Sequence, residues 1–109
     1  MENAYMLIMI TAPSLEVSEQ IANALLEAKL AACVNITAPI TSIYRWQGKI
    51  EREQEYLLLC KTRRELFDPS FMALVHELHP YEVPEIIALS IEDGAQSYLD
   101  WISTETKGH

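Results

Sequence analysis

The chain has 109 residues, half of them hydrophobic and 22% charged, and 8 Lys and Arg against 16 Asp and Glu leave a formal net charge of −8. That length and apolar content specify one globular domain, expected over residues 1–109, and exclude a disordered chain or a disulfide-stapled miniprotein, since only two cysteines are present. The few, scattered basic residues argue against a phosphate-backbone binder, so nucleic acid is not expected as a partner.

The first apolar run, Tyr5 to Ile10, is too short for a helix and stops at Thr11-Ala12-Pro13, which reads as a strand buried on both faces. It has no basic flank and no cleavage-type tail, so it is neither a signal peptide nor a membrane span, and a cytoplasmic location is expected. Ser14 is placed to cap a helix in which Val17, Ile21, Ala24, Leu25 and Ala28 recur at helical spacing, running to about Leu30. From Ala32 to Trp46 β-branched and aromatic residues predict a long second strand with an irregularity at Pro39. Gln47-Gly48 turns the chain into a third strand, Lys49 to Thr62, charged in its first half and apolar from Tyr56 to Cys60.

Asp68-Pro69 predicts a second helix start, with Phe71, Leu74, Val75 and Leu78 as its apolar stripe. The two prolines of His79-Pro80-Tyr81-Glu82-Val83-Pro84-Glu85 forbid a helix there, and Ile86 to Ile91 follows as the last core strand. Tyr98, Trp101 and Ile102 sit at helical spacing in a short final helix before a polar tail expected to fray.

The order strand, helix, strand, strand, helix, strand is the split pattern of an α+β, ferredoxin-like βαββαβ sandwich, with a long hairpin and a short C-terminal helix. A hairpin arm of about 14 residues reaches roughly 45 Å, whereas a helix of about 17 covers only about 25 Å. The hairpin therefore outruns its helical cover. With Ile43, Tyr44 and Trp46 on it, the uncovered part exposes apolar surface and strand edges, from which an oligomer is expected.

Several segments in this order, Thr11-Ala12-Pro13, Ala31-Ala32-Cys33-Val34-Asn35, Thr41-Ser42-Ile43-Tyr44 with Trp46, Gly48 and Ile50, Lys61-Thr62, the 79–85 loop, and Tyr98-Leu99 with Trp101, cover nearly the whole chain. On these residues the chain resembles the CutA family of divalent-cation tolerance proteins. The resemblance implies a homotrimer with hairpins crossing subunit boundaries, an assembly similar to that of PII-type signalling proteins, and tolerance of copper and other divalent metal ions. Some family members bind copper through a Cys before Thr-Ala-Pro and a His pair before Pro-Tyr; here those positions hold Ile10, Leu78 and His79.

No short-spaced ligand cluster announces a metal site. His79 is the better ligand candidate of His76 and His79, and Cys33 is a second, soft one, each weighed against simple burial. If the Gln47-Gly48 turn sets the register of the whole arm, Cys33 and Cys60 share one face of the hairpin, although a disulfide is not expected in a reducing compartment. Lys61 ends an apolar strand, where an amine needs a carboxylate or an anionic ligand, so with Trp46, Tyr81 and Glu85 it outlines a small-ligand cleft between subunits. The alternative for Lys61 is a structural ion pair with Glu85.

Enzyme readings find no support. An acylphosphatase-type cradle needs a Gly-containing loop with Arg after the first strand, where this chain has Thr11-Ala12-Pro13-Ser14, and no phosphate loop, nucleophile elbow or His-Glu-x-x-His pair occurs. Three functional readings follow: a homotrimeric protein that binds or responds to divalent metal ions, copper among them, a PII-like sensor of a small molecule in intersubunit clefts, and a mainly structural trimer.

Overall fold

A computed structural model describes residues 4–108. Its elements are β1 (Tyr5–Ala12), α1 (Leu15–Glu27), β2 (Cys33–Ile36), β3 (Ile40–Trp46), β4 (Lys49–Arg63), a 3-10 turn (Arg64–Leu66), α2 (Pro69–Leu78), β5 (Ile86–Ser90) and α3 (Gln96–Glu105). The expected α+β order is observed. The strands form one antiparallel sheet in the order β2-β4-β1-β5, and β3 pairs with the outlying half of β4.

Strand alternation sorts the sheet into two faces. Ile8, Ile10, Leu58 and Cys60 point to one side and are fully buried with Ile21, Leu25, Phe71 and Val75 of α1 and α2. Leu7, Met9, Leu57 and Leu59 point to the other side and are half-buried, while Ile87 and Leu89 there are exposed. Tyr5–Ile10 is thus not buried on both faces within one chain, because helices α1 and α2 cover only one. The far end of the outer face is crossed by α3, where the Tyr5 and Ser103 hydroxyls meet at 2.7 Å and Arg63 Nε donates to Thr106 Oγ1 at 2.9 Å.

Three local features correct the element boundaries. Helix α1 ends at Glu27, before Leu30, because Lys29 adopts a left-handed φ of 59° and Leu30 N–H returns to the Leu25 carbonyl at 2.9 Å. That is a Schellman stop with lysine where glycine is usual. The predicted second strand is split, since Ile36 faces Leu58 while Ile40 faces Glu55: four steps on one side match three on the other. Pro39 has no N–H for the ladder, and the extra residue beside it is a bulge that reverses side-chain parity. The tail beyond α3 is pinned: Lys107 N–H donates to the Lys29 carbonyl at 2.9 Å, and the buried Arg63 guanidinium reaches the Lys107 carbonyl while pairing with Glu65 at 2.9 Å.

Because of that bulge, Cys33 lies opposite Lys61 and Cys60 beside Val34, so the two cysteines face opposite sides of the sheet. The shared face expected from a continuous register fails for this reason. Burial pushes the Cys60 thiol up to about 12.

Candidate functional site

The hairpin beyond the body closes through a two-residue turn with φ of 51° at Gln47 and 81° at Gly48, the left-handed pair that suits the twist of a tight hairpin. Trp46 then pairs with Lys49, which sets Tyr44 against Glu51, Ser42 against Glu53 and Ile40 against Glu55. Alternate residues share a face, so Ser42, Tyr44 and Trp46 run alongside Glu51, Glu53 and Glu55, whereas Arg45 and Arg52 belong to the opposite face.

This acidic and aromatic face forms one wall of an open groove of about 710 Å³. The loop after α2 forms the other, contributing Pro80, Tyr81, Glu82, Val83 and Glu85, and Thr11 lines it from β1. Among the described residues, five glutamates and no Lys, Arg or His line the groove.

His79 sets the position of the loop. Its N–H caps α2 on the Val75 carbonyl, its Nε2 lies 2.7 Å from the Thr11 carbonyl oxygen, and the Tyr81 N–H donates to its Nδ1 at 3.2 Å. A carbonyl only accepts and an amide N–H only donates, so the ring is the neutral tautomer with its proton on Nε2. Both nitrogens are occupied and the residue is 6% exposed. Tyr81, its ring 4.8 Å from that of His79, donates its hydroxyl to Glu55 Oε2 at 3.0 Å. Burial, and then Glu55, raise the Tyr81 phenol above its ordinary value; burial and then Glu53 do the same for Tyr44. Glu55 is 6% exposed, a buried carboxylate held by a phenol.

Of the residues singled out from sequence, Trp46, Tyr81 and Glu85 meet in this groove. Lys61 and Cys33 do not. Lys61 Nζ bonds Asn35 Oδ1 and lies 3.9 Å from Cys33 Sγ, and it sits level with Leu7 and Leu89, whereas the groove opens beyond the Ile86 end of β5. Lys61 is therefore paired with Asn35 rather than with Glu85, and the cleft carries negative rather than positive lining charge. Near Cys33, burial and then the thiol raise the Tyr98 hydroxyl above its ordinary value. His76 is exposed on α2. Among the described residues no three His, Cys, Asp or Glu side chains converge on a point able to hold a metal ion. The donor set of His79 and Cys33 thus does not fit one, because the imidazole has no free nitrogen and the thiol lies elsewhere.

Sequence reading passed over Glu51, Glu53 and Glu55, although the signal was present. A Gln-Gly turn fixes the local register, and a carboxylate at every second position opposite aromatic residues places them all on one face.

The family model described as CutA1 divalent ion tolerance protein matches residues 6–105. The divalent-cation tolerance protein CutA of Thermus thermophilus is 54% identical over 99 residues, covering 91% of this chain and 95% of that protein. Human protein CutA is 46% identical over 98 residues, which is 90% of this chain and 54% of the human protein. Among solved structures, the T. thermophilus divalent cation tolerance protein superposes with a TM-score of 0.90 at 52% identity, covering 94% of this chain and 98% of that one. CutA1 of Shewanella sp. SIB1 gives a TM-score of 0.93 at 39% identity, with 99% and 100% covered. The split sheet, the overlong hairpin and these matches along nearly the whole chain make it a member of the CutA1 divalent-cation tolerance family.

Proposed function

We propose that this chain serves divalent-cation tolerance as a self-associating binding protein, not an enzyme, and that its acidic groove is where cations act. The observation that carries this is the lining charge: among the described residues, five carboxylates and no cationic side chain. Carboxylate oxygens suit divalent ions, and copper is the ion the family resemblance brings forward. Because the carboxylates stand apart rather than converging, one chain offers such an ion attraction more than a closed coordination shell.

Self-association, as a homotrimer, is supported by the half-covered apolar face of Leu7, Met9, Leu57, Leu59, Ile87 and Leu89. A patch of this kind is a liability for a lone subunit. The two free cysteines, on opposite sheet faces, suit the reducing cytoplasm.

Calorimetric titration with Cu(II) and Mg(II), alongside light scattering after size exclusion, tests the proposal. We expect weak to moderate metal binding that falls in a Glu51→Gln/Glu53→Gln variant, and a particle of three times the 12.4 kDa subunit mass that Leu89→Glu disrupts. Metal binding untouched by the double variant would remove the groove from the account, and a monomeric wild type would remove the assembly.

A second reading, a small-molecule sensor, is favoured by the size and walls of the groove. A volume of about 710 Å³ with Tyr44, Trp46 and Tyr81 on its surface is far more than a single ion needs. Here the ligand anticipated from Lys61 changes sign, from a small anion to a cation.

A further inference from the structure

We infer that the groove is built for a linear di- or polyamine, an inference that rests on the cation reading of the groove and narrows it to one ligand class. Three observations select that class. The first is charge: among the described residues the lining bears Glu51, Glu53, Glu55, Glu82 and Glu85 without a basic side chain, which disfavours an anion. The second is the wall material. Tyr44 and Trp46 are a third to two-fifths exposed on the same hairpin face, and Tyr81 stands on the other wall. Aromatic faces give a metal ion no lone pair of use, but they attract ammonium groups and cover the methylenes between them.

The third observation is spacing. Glu51, Glu53 and Glu55 occupy alternate positions of one strand, so they form a row with a repeat of about 6.5 Å. An extended spacer of about four methylenes sets two amines roughly that far apart. A row matches a linear ligand, whereas a chelated metal requires convergence, which no three acidic, His or Cys side chains among the described residues achieve. Burial along the row is uneven: Glu51 is half-buried, Glu53 exposed and Glu55 buried at 6%. Glu55 has the Tyr81 hydroxyl as its hydrogen-bond partner and, among the described residues, no salt bridge, so a carboxylate nine-tenths removed from water lines the groove. A carboxylate so far out of water is costly to bury, and an ammonium beside Glu55 would offset that cost.

The test is isothermal titration of the whole chain with spermidine, with a series of α,ω-diamines of increasing spacer length, and with Mg(II) and Cu(II) separately, at low and at physiological salt. Variants are Glu53→Gln in the row, Tyr81→Phe behind Glu55, and Glu19→Gln, which removes the same charge from exposed α1. We expect saturable spermidine binding that survives physiological salt, falls about tenfold or more in Glu53→Gln, falls less in Tyr81→Phe and is unchanged in Glu19→Gln, with an optimum spacer in the diamine series. Equal losses in Glu53→Gln and Glu19→Gln, or affinity following ligand charge alone, would reduce the effect to diffuse attraction and overturn the inference. Metal binding at the groove without amine binding would overturn it while leaving the cation reading intact. Binding of neither would overturn both.

Discussion

The two halves of β4 make the same kind of backbone ladder in opposite surroundings. From Tyr56 to Arg63 the strand is central, paired with β1 on one side and β2 on the other, and its Leu58, Cys60 and Thr62 side chains are buried under the helices. From Lys49 to Glu55 it pairs only with β3 and carries Glu and Arg where the other half carries Leu and Cys. A two-stranded ribbon is marginal by itself, so the outer half depends on what meets it: the Tyr81 to Glu55 hydrogen bond within the chain and, on our account, other subunits. Apolar side chains in one half make the fold. Charged and aromatic side chains in the other make a surface for recognition.

The largest test of this contrast is a pair of truncations. Phe71, fully buried against the inner face, should cost about 3–5 kcal/mol on Phe71→Ala in urea unfolding. Ile50, exposed on the hairpin, should cost no more than about 0.5 kcal/mol on Ile50→Ser. A larger loss that depends on protein concentration would place Ile50 in an interface between subunits.

His79 joins the two regions, and His79→Ala removes the ring that holds the loop to β1. Left without their partners, the Thr11 carbonyl and the Tyr81 N–H should cost about 1–3 kcal/mol, with faster hydrogen exchange at Tyr81. Unchanged exchange would mean that the loop is held by its prolines instead.

A smaller, pH-dependent contrast lies between the cysteines. Cys60 has its thiol raised from 9.0 to about 12 by burial, so the folded chain holds that proton more tightly than the unfolded chain. Its contribution to stability is present in full below pH 9 and is lost as pH rises toward 12. Native alkylation at pH 8 should therefore label half-buried Cys33 and spare Cys60 until the chain unfolds, as mass spectrometry would show. Equal labelling would contradict the opposite-face placement.

The smallest effect is a gain. Lys29 occupies a left-handed position at the end of α1, and Lys29→Gly should raise stability by about 0.5–1 kcal/mol in thermal unfolding. A loss would show that contacts of the lysine side chain outweigh its backbone strain.

Periodicity and turn chemistry made most of the fold legible: the α1 stripe, the Asp68 cap on Ser70 and Phe71, and the Gln47-Gly48 turn are all local signals. The bulge at Pro39 was legible only as an irregularity. Whether a proline breaks a strand or adds a residue to it depends on the partner strand, and that one-residue difference decided where Cys33 points. The site was half legible for a related reason. Trp46, Tyr81 and Glu85 line one groove, but the need of a buried amine for a partner groups Lys61 with them from sequence, whereas Asn35, two strand positions from Cys33, supplies that partner. Pairing across a sheet is long-range information that a single sequence does not carry.

The central claim, that the outer half of β4 bears the cation site, is tested most directly by titrating the isotope-labelled chain with Mn(II) and following paramagnetic broadening in its amide and Trp46 indole NMR signals. Our account predicts that the signals of Glu51, Glu53, Glu55, Tyr81 and the Trp46 indole broaden first and together. Broadening centred on Cys33 and Lys61, or spread evenly over the acidic surface, would contradict it.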